Sequence, residues 1–198
     1  MKIIIVGATG TLGKKVAEAF ASKHEIIRVG NTKGDVQVDI TNETSIKNMF
    51  EQIGAFDAMI STSGKGPFAP VNQLTGEVFK SGLLDKLLGQ VNLVLIGQHY
   101  INKGGSFTLT SGILAENPVA AGSALSTING GLNAFVLAAA PELGNGIRIN
   151  AVSPNVVEDS PAYFESFPGE IPVTMEKVVK AYEKSVLGIL TGQVIKVY

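Results

Sequence analysis

With 198 residues, 45% hydrophobic and 17% charged side chains, the chain has the size and composition of one globular domain with a sizeable core, expected over residues 1–198. A formal net charge of −1 argues against a nucleic-acid or anionic-membrane surface. The absence of cysteine excludes disulfides, a thiol nucleophile and a zinc–thiolate site. His24 and His99 are too few for most metal sites, and no metal is expected. Met1-Lys2 runs straight into an apolar strand, and the longer apolar runs are broken by Gly, Asn or Pro. A soluble cytoplasmic protein without a membrane partner is therefore expected.

The first strand, Met1–Val6, is rich in Ile and leads into Gly7-Ala8-Thr9-Gly10-Thr11-Leu12-Gly13. A buried strand turning through glycines into a helix suits a dinucleotide pyrophosphate, because the backbone can approach the phosphates and the helix N-terminus offers free N–H groups. The spacing is GxxGxxG rather than GxGxxG. Residues 14–22 read as a helix burying Val16, Ala19 and Phe20. Strands follow at Glu25–Val29 and Asp35–Val38. Thr41-Asn42 caps a helix carrying Ile46, Met49, Phe50 and Ile53. A strand at Phe56–Ile60 ends in the polar loop Ser61–Pro67. One long helix is predicted over Glu77–Ile101, then a strand at Gly105–Leu109, a small-residue helix at Leu125–Ala140, and a strand at Ile147–Val152. A helix at Thr174–Leu187 and a strand at Gln193–Val197 complete the pattern. Strands alternating with helices predict an α/β, Rossmann-type doubly wound parallel sheet with helices on both faces. In such a sheet ligands lie at the carboxyl ends of the strands.

The order of these pieces resembles the short-chain dehydrogenase/reductase family over nearly the whole chain. Gly7–Gly13 resembles its cofactor turn, and Val38-Asp39-Ile40-Thr41 the segment whose acid touches the adenine. Ser61-Thr62-Ser63-Gly64 occupies the place of its Asn-Asn-Ala-Gly loop. Thr108-Leu109-Thr110-Ser111-Gly112 is similar to the strand end with the catalytic serine. Arg148–Asn155 is similar to the Arg-x-Asn-x-x-x-Pro-Gly stretch that closes over the nicotinamide. The resemblance implies cofactor contacts from Gly7, Thr9, Gly10, Thr11, Leu12, Gly13, Asp39, Ile40, Ser61, Thr62, Ser63, Gly64, Asn129, Pro154, Asn155 and Val156, and a catalytic role for Ser111.

The departures concern the reacting end. Leu125 falls where the family's helix carries tyrosine, and Asn129 where it carries lysine. Leucine donates no proton, and asparagine carries no charge to depress a neighbour's pKa. These features resemble a short-chain subgroup with the glycine turn but without the Tyr-x-x-x-Lys active site. The family's helix-borne asparagine is matched either by Asn92, from its Val-Asn-Leu context, or by Lys86, from counting back along the helix. Tyr163, Lys86 and Lys65 are candidate substitute proton donors.

No acid ends the second strand, where an NAD site places one for the ribose 2′-hydroxyl. Gly30 leaves room there, and Asn31, Thr32, Lys33 and Lys14 could take a 2′-phosphate, so NADP is expected over NAD. The expected function is an NADP(H)-dependent oxidoreductase acting on a carbonyl or alcohol that the sequence does not identify. The alternative is a catalytically inactive dinucleotide-binding protein, a redox sensor or partner-binding module. A nucleotide hydrolase is disfavoured because Lys15 stands where a Walker A motif needs Ser or Thr for Mg²⁺. The helices at Glu77–Ile101 and Leu125–Ala140 match those that pair between subunits in this family. With Gly130, Gly131, Ala134, Ala138 and Ala139 permitting close approach, a homodimer or homotetramer is expected.

Overall fold

The computed structural model describes residues 1–198. Strands β1 (Lys2–Val6), β2 (Glu25–Gly30), β3 (Val36–Gln37), β4 (Phe56–Ser61), β5 (Ile101–Thr110), β6 (Arg148–Pro154) and β7 (Gln193–Val197) form one sheet in the order β3-β2-β1-β4-β5-β6-β7. Every pairing is parallel. The helices are α1 (Thr11–Ala21), α2 (Glu43–Ile53), α3 (Gly76–Gly82), α4 (Gly89–Gly97), α5 (Ser123–Ala139) and α6 (Met175–Leu187).

β1 is apolar on both faces because both are covered. Ile4 and Val6 join a core with Phe50, Phe56, Leu93, Phe107 and Leu132, under α2, α4 and α5. Ile3 and Ile5 point the other way, into a core with Val16, Phe20, Val178 and Tyr182, under α1 and α6. The strand order runs out from β1 in both directions, to β2 on one side and β4 on the other. That reversal opens a crevice at the carboxyl edge between β1 and β4.

Caps fix the helix starts that lead away from this edge. Asn42 Oδ1 accepts from the Ser45 N–H at 3.1 Å, and Thr174 Oγ1 accepts from the Lys177 N–H at 3.4 Å. Arg148, in the predicted Arg-x-Asn stretch, holds the other end of α6. Its guanidinium donates to the Ser185 and Val186 carbonyls at 2.7 and 2.8 Å. Asn150 ties β6 to the turn before β7, donating to the Leu190 carbonyl at 2.8 Å and accepting from the Gln193 N–H at 3.1 Å. The polar residues of this motif therefore secure the frame.

The long helix expected over Glu77–Ile101 is three pieces. α3, capped by Thr75, gives way to a π-helical segment at Leu83–Leu88, and α4 then ends at Gly97. Packing overrides the helical pattern beyond that point. Tyr100 stacks on Phe50 with ring centroids 5.5 Å apart, and Ile101 pairs with Phe56, so β5 begins at Ile101 rather than Gly105.

Candidate active site

The carboxyl edge of the sheet carries two adjoining cavities of about 530 and 370 Å³. Both are lined by Thr62, Ser63, Gly64 and Lys65, which makes them one cleft running across the β1–β4 crevice. Its size suits a small-molecule or cofactor site.

The smaller end is built from main chain. Val6, Gly7, Thr9, Gly10, Gly30, Asn31, Val38, Asp39, Ile40 and Thr41 line it. Gly7 sits at φ 87°, in the left-handed region, and donates its N–H to the Val29 carbonyl at 2.8 Å. A Cβ on Gly13 would strike the Gly7 carbonyl oxygen and Thr62 Oγ1, so glycine there sets how closely α1 approaches the turn. Gly10 provides no side-chain cap to α1, and the first turn carries no acid. The N–H groups of that turn thus remain available to an anion beside the cleft.

Asp39 lies on this lining, but its Oδ1 already accepts from the Thr41 N–H at 2.9 Å and Thr41 Oγ1 at 2.7 Å. These bonds favour the carboxylate and lower its pKa. Thr32, Lys14 and Lys33 do not reach the cleft lining. The Thr32 carbonyl accepts instead from Gln37 Nε2 at 3.1 Å. Of the residues expected at the end of β2, the cleft receives Gly30 and Asn31. Gly13 and Ser61 also stand behind the lining. Ser61 is buried, and its hydroxyl bonds to that of Ser63 at 2.9 Å.

The larger end is built from side chains: Leu12, Lys86, Thr110, Ser111, Leu125, Asn129, Tyr163 and Phe167, with Thr11, Pro154, Asn155 and Val156 at its edge. Ser111 follows β5, and its Oγ is buried with no hydrogen-bond partner in the protein. Such an orphan, in a residue that lines the cavity, calls for a ligand or a water.

The sequence left two residues open for the helix position, and the structure puts them in different surroundings. Lys86, in the π-helical segment, reaches the cavity, while Asn92 is buried away from it. Lys86 Nζ donates to Asn129 Oδ1 at 2.8 Å and to the Ser111 carbonyl at 3.3 Å. Asn129 Nδ2 in turn points to the Gly112 carbonyl at 3.5 Å. Gln90 locks the segment to the end of β5. Its Nε2 donates to the carbonyls of Lys86 and Thr110 at 3.2 and 3.0 Å, and its Oε1 accepts from the Thr110 N–H at 2.9 Å. No carboxylate lines this cavity, and desolvation lowers the Lys86 pKa to about 8.

The remaining expected donors sit differently. Tyr163 lies on the short helical turn Pro161–Ser166 and stays mostly exposed at the cavity edge. Lys65 is exposed, and its backbone N–H donates to Asp85 Oδ1 at 3.2 Å. Asn155 turns its side chain to the loop before α6, donating to Glu170 Oε2 at 2.6 Å. Tyr182 went unnoticed in the sequence. Buried behind the cavity, it shares a 2.6 Å hydrogen bond with Thr110 Oγ1. Its place in the apolar period of α6 gave no sign of that role.

A family model described as Enoyl-(Acyl carrier protein) reductase matches residues 1–178. The protein lin1944 from Listeria innocua has a solved structure that is 48% identical, covers 100% of both chains and superposes with a TM-score of 0.98. A small-chain dehydrogenase solved in complex with NADPH is 29% identical, with a TM-score of 0.89 over 100% of this chain and 96% of its own. An uncharacterized oxidoreductase of Methylorubrum extorquens is 24% identical over 178 residues, 78% of this chain and 72% of that protein. No helix is long and apolar enough to cross a membrane. The seven-stranded parallel sheet, the glycine turn at its centre and the family match together establish that the chain belongs to the short-chain dehydrogenase/reductase family of NAD(P)-binding oxidoreductases.

Proposed function

We propose that this chain is an NADP(H)-dependent oxidoreductase acting on a carbonyl or alcohol substrate. The observation that carries this reading is the continuous cleft, with a glycine turn at one end and the orphaned Ser111 hydroxyl at the other. The residues fit the dinucleotide. The Gly7–Gly13 turn and the first turn of α1 would hold the pyrophosphate. Asp39 and Ile40 would flank the adenine, with Gly30 and Asn31 beside the ribose 2′-phosphate. Thr62, Ser63 and Gly64 would line the middle. Asn129, Pro154, Asn155 and Val156 would face the nicotinamide half. The lack of an acid at the end of β2 favours NADP over NAD, and a homologue's complex with NADPH supports the same choice.

When bound, the reduced nicotinamide supplies a hydride to a carbonyl carbon. The protein must then orient the carbonyl, exclude competing chemistry and deliver one proton. Ser111, whose hydroxyl has no partner in the protein, would bind the substrate oxygen. Leu125 offers no proton where the family resemblance expects tyrosine, so the donor must come from elsewhere in the cavity.

Calorimetric titration of the wild type with NADPH and NADH tests this reading, followed by NADPH consumption with a 1,2-diketone, an aromatic aldehyde and a quinone. NADPH binding tighter than NADH, together with turnover of at least one carbonyl, supports it. NADPH binding without turnover would leave an inactive dinucleotide-binding protein, and no binding of either cofactor would remove the reading altogether.

We also propose a homodimer through α3–α4 and α5, where Val78, Leu84, Leu88, Leu95 and Leu137 are exposed and Gly130 is open. Light scattering that finds only monomer at micromolar concentration would remove this assembly.

A further inference from the structure

We infer that Lys86 is the proton donor of this site, with its Nζ and Ser111 Oγ converging on one substrate oxygen. The inference rests on the oxidoreductase reading above. Three features place the ammonium for this task. Lys86 lines the same cavity as Ser111, Leu125 and Asn129. Two of its three N–H groups go to Asn129 Oδ1 and the Ser111 carbonyl, which leaves one N–H without a protein acceptor. Its backbone is fixed from two sides. Gln90 accounts for its carbonyl, and the loop residue Gly64, at φ 104°, lies so close that a Cβ there would meet Lys86 Cα at 2.6 Å. A π-helical segment in a helix wall is a frequent accompaniment of a functional position.

The pairing also inverts the expected one. The resemblance puts lysine at position 129 on α5 and asparagine on the opposite helix. Here Asn129 is on α5 and Lys86 is opposite, joined by the 2.8 Å bond. An ammonium and an amide are both retained, but on exchanged walls. With Leu125 silent, the ammonium has no tyrosine to act through and meets the substrate directly.

The carbonyl π bond breaks, the carbon takes the hydride with its electron pair from the reduced nicotinamide, and the oxygen takes a proton from Lys86 Nζ. The products are the alcohol, the oxidised dinucleotide and a neutral amine, which water entering the open cleft reprotonates. A general acid works best with a pKa near the working pH, and desolvation brings Lys86 to about 8. The other titratable groups bordering the cavity are Lys65 and Tyr163, with Asp85 holding the Lys65 backbone. Tyr182, behind Thr110, is kept neutral by burial.

The test uses NADPH and whichever panel carbonyl the wild type reduces. In the wild type, kcat for reduction should fall as pH rises through about 8, because the neutral amine donates no proton. Lys86→Met should lower kcat ~10²–10⁴-fold, keep the Kd for NADPH within threefold and lose the fall near pH 8. Lys86→Arg should fold, bind NADPH and push that fall beyond the accessible range. Retention of wild-type kcat and profile by Lys86→Met would overturn the inference while the oxidoreductase reading stands. Loss of NADPH affinity in Lys86→Met would also overturn it, making Lys86 a cofactor anchor. Should Lys86→Met not fold, the wild-type profile and Lys86→Arg decide. A wild type that binds no NADPH, or reduces no carbonyl, removes the oxidoreductase reading and this inference with it.

Discussion

At the β1–β2 end of the cleft the lining is mostly main chain, held by Gly7, Gly10 and Gly30 with Gly13 just behind. At the β5–α5 end it is a set of side chains from three separate segments, Lys86, Ser111, and Leu125 with Asn129. A surface made of backbone constrains the sequence through missing Cβ atoms, so the glycine spacing stays visible. A surface made of side chains can exchange its chemistry residue by residue without moving a strand. The first end therefore follows the pattern that the family resemblance implies, and the second departs from it.

The largest way to break that contrast is at the backbone end. Gly13→Asp sets a side chain against the Gly7 carbonyl and Thr62 Oγ1 and adds negative charge at the N-terminus of α1. NADPH affinity should fall by ~100-fold or more, with a lower thermal midpoint. Calorimetry and a melting curve on one preparation check both.

At the side-chain end, Ser111→Ala should lower kcat by up to ~10²-fold through loss of a hydrogen bond to the reacting oxygen. It should leave folding stability unchanged or raise it by less than ~1 kcal/mol, because the native hydroxyl has no protein partner to lose. A large loss of stability would mean that this hydroxyl serves the frame.

Lys86 allows a test without any substrate. Its folded pKa of about 8 lies below the ordinary lysine value, so the unfolded chain binds more protons between about 8 and 10.4 and stability rises with pH in that window. Below about 8 the penalty for enclosing the ammonium is fully present. Lys86→Met should then be more stable than the wild type by ~1–2 kcal/mol at pH 7, allowing for the loss of its hydrogen bonds to Asn129 and the Ser111 carbonyl. The advantage should shrink between pH 8 and pH 10. Urea unfolding at both pH values reads the difference, and a gap that widens with pH would contradict it.

The smallest effect is expected at the ribose. Asn31→Asp puts a carboxylate at the end of β2, beside the proposed 2′-phosphate position. It should shift the NADPH-to-NADH affinity ratio by ~10-fold toward NADH, which paired titrations measure. An unchanged ratio would place the 2′-phosphate away from Asn31.

The legibility of the sequence divides along the same line. β1, the glycine turn and the Asn42 cap are local signals, and each stands where the periodicity and turn chemistry put it. The break of Glu77–Ile101 into three pieces was not legible, because the stacking of Tyr100 on Phe50 and the pairing of Ile101 with Phe56 are long-range contacts. The Lys86–Asn129 bond spans 43 residues for the same reason. A signal was present nonetheless, since Lys86 is the single lysine or arginine between Ser81 and Asn102, in a largely apolar run where Asp85 is the one other formal charge. A solvated charge would have company on a polar face, and this one has little. Arg148 and Asn150, in the stretch that the resemblance singles out, secure α6 and β7.

The π-helical segment at Leu83–Leu88 has one more consequence. A π turn is an α-helix with an extra residue, and each residue of a helix turns the chain by about 100°. The segment thus behaves as a rotary offset between α3 and α4. Deleting one residue before Lys86 would restore even winding and swing the lysine away from Asn129. Gly97 could still pack on Phe50 and Phe107 at the far end of α4. The chain can in this way retune which side chain faces the cavity by changing its residue count, with the sheet left untouched.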